Sequence, residues 1–222
     1  MVSKARLERG RYWDRIWPLV AGCARVSAGC DGCGALRKKS AVSIRSGSLE
    51  APLKTEKPAT WIIRNDLFHP AVPDRFIIRA FGFMRACPHH LFIVISKRPD
   101  RMARLLLSEA PVSNVFIGVC AEDQRTADMR IPYLRPLSGC WNTFVSLDPL
   151  LDPVDLTNYL DVLGWLIVGA GSAARCEVDW IWSLARQCDA VDIPVFVRQA
   201  SLKGRLVKTP FILGRRRLET PG

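Results

Sequence analysis

The sequence predicts an α/β protein built as a parallel (β/α) barrel, incomplete, with six or seven βα units in 222 residues. Short, β-branched apolar runs alternate with amphipathic stretches from about Trp61 onward. The runs recur about every 22 to 30 residues, the length of one βα unit. Nearly every position within a run is hydrophobic, as expected of parallel strands covered on both faces.

In order, the strand candidates are Trp61–Arg64, Leu91–Ile95, Asn114–Val119, Thr143–Ser146, Trp165–Val168 and Pro194–Val197, with a seventh at Ile16–Val20. The helical candidates between them are Asp74–Cys87, Arg98–Glu109, Asp123–Leu134, a shorter Asp155–Leu163, and Glu177–Val191. Ser40–Pro58 is polar and Ser-rich and reads as a loop. Residues 1–200 form one barrel domain carrying a cysteine loop at 23–33, and 201–222 read as a basic C-terminal tail. Periodicity alone leaves a doubly wound sheet open. The polar residues after the strands favour the barrel, because barrel enzymes gather reactive groups at the carboxyl-terminal rim. Those residues are Asn65-Asp66, Ser96-Lys97-Arg98, Glu122-Asp123, Ser146 with Asp148, Gly169 to Ser172, and Arg198-Gln199. Helix capping accounts for one acid or hydroxyl per loop, with Asp74 and Asp123 the best candidates. It does not account for Lys97-Arg98 or Arg198, cations facing the positive end of a helix dipole.

Composition sets the class. Half the residues are hydrophobic (49%), so a full core is available and general disorder is excluded. The longest apolar stretch, 165–174, is too short and Gly-rich to span a bilayer. The first fifteen residues are basic but contain Glu8 and Asp14 and no apolar block, unlike a secretory signal. A soluble, cytoplasmic protein is expected. Its 32 Lys and Arg against 21 Asp and Glu give a net charge of +11, concentrated at Arg37–Lys39, Lys203–Lys208 and Arg215–Arg217. Such clusters make nucleic acid a candidate partner; a solubilising surface with a loose tail explains them equally well. No helix-turn-helix, zinc-finger or aromatic strand-binding pattern is present.

Eight cysteines without a signal peptide do not read as a disulfide framework. Cys87, Cys120, Cys140, Cys176 and Cys188 are scattered and fit small core residues. Cys23, Cys30 and Cys33 fall within eleven residues of a Gly-containing loop at the expected rim. A structural zinc site closes its tetrahedron with a fourth ligand, and the nearest histidine in sequence is His69. Three cysteines on a [4Fe–4S] cluster would instead leave one iron open to S-adenosylmethionine (SAM). Zinc closed by a distant histidine, and thiols with no shared role, remain alternatives. His89-His90 is expected on the surface as a solvated pair, and His69, before Pro70, is the histidine better placed for a site. Hydrolase chemistry has no local support: no Ser-His-Asp arrangement or spaced carboxylate pair occurs.

From Trp17 to about Gln199 the chain resembles the phage- and prophage-associated proteins with a three-cysteine motif, a family of unknown function with a compact radical-SAM-like barrel. The resemblance rests on Trp17–Cys23 through Cys33, Asn65–Pro70, Ser96–Pro99, Val119–Gln124 with Arg130–Pro132, Ser146–Leu151, and Leu166–Gly169. It implies a [4Fe–4S] cluster on Cys23, Cys30 and Cys33. It also implies a SAM pocket using Ser96, Lys97, Glu122, Asp148 and Gly169, with Asp66, His69, Arg198 and Gln199 facing an unknown substrate. An electron donor would then be required, and the phage association makes a nucleic acid the first substrate to consider. The chain departs from the family at Gly34 and Ala200, where aromatics are usual. It departs again at Gly169–Ser172, which lacks a glutamate, and at Asp148 and Arg198, a shortened acid and a replaced lysine. These departures keep open a second reading: a barrel that has lost catalysis, binds nucleic acid or an assembly partner, and leaves its cysteines empty or zinc-bound.

Overall fold

A computed structural model describes residues 2–33, 36, 41–171, 176–202, 205–209, 211–212, 215–216 and 218–220. The basic cluster Arg37–Lys39, Gly34, Ser172, Lys203 and Arg217 lie outside them. Eight strands form the main sheet in sequence order: β1 (Arg15–Ile16), β2 (Thr60–Ile63), β3 (Leu91–Ser96), β4 (Val115–Cys120), β5 (Asn142–Leu147), β6 (Leu166–Gly169), β7 (Val195–Leu202) and β8 (Arg205–Lys208). Neighbours from β1 to β7 pair in parallel, and β8 returns antiparallel to β7.

The helices are α1 (Lys4–Leu7), α2 (Asp74–Ala86), α3 (Pro99–Leu106), α4 (Gln124–Arg130) and α5 (Val178–Asp189). α2 buries Phe76, Ile77, Ala80, Phe81 and Met84, a stripe at helical spacing that packs on the sheet. The stretch expected as a helix over 155–163 is a 3-10 segment, Thr157–Val162. The last turn of the Asp123–Leu134 helix is also 3-10, Ile131–Leu134, with Pro132 lacking the N–H an α-turn would use.

Alternation along the strands separates two apolar layers. Ile63, Val94, Ile117, Val119, Val145, Val168 and Val197 point outward into the core shared with the helices. Ile62, Ile93, Phe144, Trp165, Ile167 and Phe196 point inward and meet around Tyr12. On a flat sheet β2 and β7 would stand about 24 Å apart, given ~4.8 Å per strand. Gly10 bonds Arg198 on β7 and Asp14 bonds Thr60 on β2, and the four residue steps between them span at most ~14 Å, so the sheet curls into a half-barrel.

Residues 8–14 strap the open side. Arg198 Nε donates to Gly10 O (3.2 Å) and Thr209 Oγ1 to Glu8 O (3.0 Å) at the β7–β8 edge. Asp14 exchanges hydrogen bonds with Thr60 at the β2 edge (2.8 and 3.0 Å). Residues 218–219 cover the opposite end, where Trp165 Nε1 donates to Glu219 O (2.9 Å) and Leu218 packs on the inner cluster.

Three expectations change here. The sheet does not end at 200: β7 runs to Leu202 and β8 continues it, its register set by Leu206 opposite Ser201, and Phe211–Ile212 pairs with Arg215–Arg216. The Ile16–Val20 strand divides, because Pro18 cannot extend the ladder. Its first half pairs with β2, and Val20–Ala21 leaves to pair with Ser43–Ile44. His90 is fully buried rather than solvated, its Nδ1 accepting from Ala59 N (3.2 Å) while Nε2 bonds Pro52 O (3.1 Å).

Candidate active site

At the carboxyl ends of the strands the half-barrel encloses a cavity of about 670 Å³. Cys23, Cys30 and Cys33 all line it, together with Asp66, Ser96, Lys97, Asp148, Arg198 and Gln199.

The cysteine loop is held from both ends. Asn65 Nδ2 donates to Val20 O (2.7 Å), fixing its start, and Arg25 pairs with Asp31 (2.7 Å) across it. Cys30 N bonds Ser27 O and Cys33 N bonds Cys30 O, both at 3.0 Å, so the second and third cysteines sit one tight turn apart. Gly29 presses against the barrel: a Cβ there would stand 3.0 Å from Lys97 Nζ and 3.1 Å from Glu122 Cδ. An added Cβ would press Lys97 and Glu122 back by a few tenths of an ångström, so glycine lets the loop pack closely here.

Lys97 joins loop to barrel. Its ammonium donates to Ser27 Oγ (3.2 Å) and Cys30 Sγ (3.6 Å) and pairs with Glu122 (3.3 Å). Glu122 is fully buried and also takes Arg130 NH1 (3.0 Å) and Gly29 N (3.4 Å). Its carboxylate is thereby committed to holding Lys97 and the cysteine loop. Burial works against the Lys97 charge, but Glu122 and Cys30 beside it hold its pKa above the ordinary lysine value. Cys23 and Cys30 are shifted in opposite directions. Burial pushes Cys23 up, and the Asp66 carboxylate adds to this. At Cys30 burial is outweighed by hydrogen bonds from the Val26 and Ser27 backbone and by Lys97, which bring the thiol down toward the metal-binding thiolate.

A second knot joins β2 to β3. Asp66 accepts from Ser96 Oγ (2.7 Å), Phe68 N (3.0 Å) and Arg98 NH1 (2.6 Å). Arg98 therefore tolerates its place before α3 because Asp66 neutralises it. A third lies opposite the cysteines. Arg198 pairs with Asp148, whose other oxygen accepts Gly171 N (3.0 Å), and Gln199 Nε2 donates to Gly171 O. Asp148 also fills the space beside Gly169, where a Cβ would lie 2.5 Å from Oδ1. Gly169 thus admits this carboxylate and does not itself line the cavity.

His69 is not brought to the site: it is absent from the cavity wall, and its Nδ1 accepts Ala71 N (3.1 Å) in a local turn. Of the two expected caps, Asp123 heads α4 with a reciprocal capping box, whereas Asp74 sits inside the first turn of α2 and binds Arg101. Ala200 lies in the outer core, away from the cavity.

Sequence reasoning missed Arg9, Arg11, Tyr12, Trp13, Arg64, Cys120 and Lys208, all of which line the cavity. Parity could have found two: counting by twos along the inward face from Ile62 gives Arg64, and from Phe116 gives Cys120. Burial pushes the Cys120 thiol up to about 12, which keeps it neutral beside Lys97. Tyr12 and Trp13 come from the strap, which no periodicity marks as part of a barrel. Among the described residues no three His, Cys, Asp or Glu side chains are gathered as the shell of a single metal ion would require.

The same architecture occurs in solved structures of spore photoproduct lyase. The one complexed with dinucleoside spore photoproduct is 12% identical with a TM-score of 0.52. A double mutant with bound AdoMet and the dinucleoside product is 11% identical with a TM-score of 0.50. Each match covers 69% of this chain and only 55% of the lyase, so the chain spans about half the length of that protein. No curated protein matches the sequence. Residues 9–209, nearly the whole of the barrel, match the family described as "Protein of unknown function (DUF5131)", and the chain belongs to that family.

Proposed function

We propose that the protein is an iron–sulfur enzyme that cleaves SAM reductively to modify a second substrate. One observation carries this reading. Three thiols too few to close a zinc site line the same rim cavity as Lys97, Asp148 and Arg198, in a fold shared with a lyase that binds AdoMet. The donor set fits a [4Fe–4S] cluster on Cys23, Cys30 and Cys33: all three face one cavity, and thiolates on different irons of a cubane stand further apart than the ligands of a single ion. When bound, such a cluster supplies one-electron reductive cleavage of SAM at its open iron, given an external one-electron donor.

The chain's own residues have separate tasks. Lys97 favours the Cys30 thiolate and anchors the loop, with Glu122 and Arg130 behind it. Ser96 and Asp66 lock Arg98 beside Cys23. The Asp148–Arg198 pair presents opposite charges on the far wall, suited to the amino and carboxylate groups of SAM or to a polar substrate. Ile62, Ile95 and Tyr12 make an apolar floor on which a ring can rest. The phage association carried by the resemblance makes nucleic acid the first substrate class to test.

A second reading is a barrel without turnover that uses its basic surface for binding. It is favoured by Asp148 and Arg198 satisfying each other within the cavity. Anaerobic reconstitution separates the two. About four irons per chain, an EPR spectrum that shifts with SAM, and release of 5′-deoxyadenosine are expected, with iron lost in Cys30→Ala. Zinc or no metal, with no response to SAM, overturns the enzyme reading.

A further inference from the structure

The cavity holds far more positive charge than its chemistry with SAM requires. Its wall carries eight cationic side chains against three carboxylates, Asp14, Asp66 and Asp148. Those carboxylates are already matched, to Arg6, Arg98 and Arg198 respectively. Lys97 is matched to Glu122. Arg9, Arg11, Arg64 and Lys208 remain, all exposed and with no ion pair among the described residues. They come from three separate places in the chain: two on the strap, one beyond β2 and one at the end of β8. Surplus cations at a concave mouth focus field on an anion. Trp13 lines the same cavity, with Arg198 over its ring at 5.6 Å. Unpaired cations beside an aromatic ring are the combination that binds single-stranded nucleic acid, phosphates on the cations and a base on the ring.

We propose that Arg9, Arg11, Arg64 and Lys208 form a phosphate-binding wall that seats a single nucleic-acid strand across the cavity mouth, with one base directed inward. This names a substrate class for the site proposed above and rests on that cavity being the active site. A duplex does not fit: a cavity of about 670 Å³ admits a nucleotide, and a paired base reaches it only after leaving its stack. The strap thus closes the half-barrel and supplies half of the wall.

The test is fluorescence anisotropy of the full-length protein with a fluorescein-labelled 15-mer oligothymidylate across 50–300 mM salt. Binding should weaken with salt, with a logarithmic slope that falls by about 1.4 in Arg9→Gln/Arg11→Gln and by a similar amount in Arg64→Gln/Lys208→Gln, at about 0.7 per lost phosphate contact. Each double variant should bind about tenfold more weakly at low salt. Arg75→Gln/Arg79→Gln, which removes two exposed arginines of α2 outside the cavity, should bind as the parent does. Equal loss in that control, no salt-dependent binding, tighter binding of a hairpin duplex, or displacement by equimolar pyrophosphate each overturns the proposal. The measurement uses no SAM. A protein that cleaves SAM but ignores the strand loses only the substrate class, and one that holds the strand without cleaving SAM loses only the enzymatic reading.

Discussion

The two ends of the same strands have opposite chemistry. Along the inner face of β5, Phe144 is fully buried near the amino end, Ser146 follows two residues later, and Asp148 two beyond that is ion-paired in the cavity. The same sequence of events runs along β2 from Ile62 to Arg64, along β3 from Ile93 to Lys97, and along β7 from Phe196 to Arg198. One alternation therefore serves two purposes. The amino half fills the half-barrel with aromatic and branched side chains, and the carboxyl half leaves room that charged groups surround.

Mutations one or two turns of the pleat apart should separate these roles. Phe144→Ala should destabilise the protein by about 3–5 kcal/mol, because it empties a dry site between Trp165 and the close approach of Gly118. Urea denaturation checks it; a loss below 1 kcal/mol would mean that the inner layer is not packed as described. Glu122→Gln should cost about 2–3 kcal/mol, since Lys97 and Arg130 are left facing a neutral amide. It should also loosen the cysteine loop, measured as faster alkylation of Cys30 in metal-free protein. Arg64→Gln should leave stability within about 0.5 kcal/mol of the parent, as an exposed residue without an ion pair contributes little to folding.

The smallest effect is a pH dependence at the amino end. Burial holds the His90 imidazole below the usual histidine pKa, so the folded protein resists its protonation. Below about pH 6.5 the unfolded chain takes up that proton first, and stability falls as the medium is acidified. The urea midpoint should therefore drop between pH 7.5 and pH 5, and His90→Asn should flatten the slope. A midpoint that rises on acidification would reverse the assignment.

Much of this was legible in the sequence because period and composition are local. Six of the apolar runs became strands within two residues of their expected bounds, except that β7 extends further, and the three cysteines stand on one loop as their spacing requires. Lys97 and Arg198 were legible as cations in places where helix capping could not explain them, whereas Ser96 and Asp148 are of the types that capping allows. A turn histidine before proline, such as His69, looks the same in sequence as a site histidine, and only the structure shows its Nδ1 bonding Ala71 N. His90 was misjudged because an adjacent pair of imidazoles gives no sign of which one faces inward.

Sequence alone determined the succession of parallel βα units and the cysteine loop, since hydrophobic alternation, glycine placement and thiol spacing act over a few residues. Tertiary structure decided what the site contains. Only the assembled sheet sets Lys97 against Cys30 and Glu122, and Arg198 against Asp148 fifty residues away. Only the crossing of residues 8–14 over the open side adds Arg9, Arg11 and Trp13 to the cavity. Long-range charge neutralisation and closure have no local period, so they become visible only once the chain has folded.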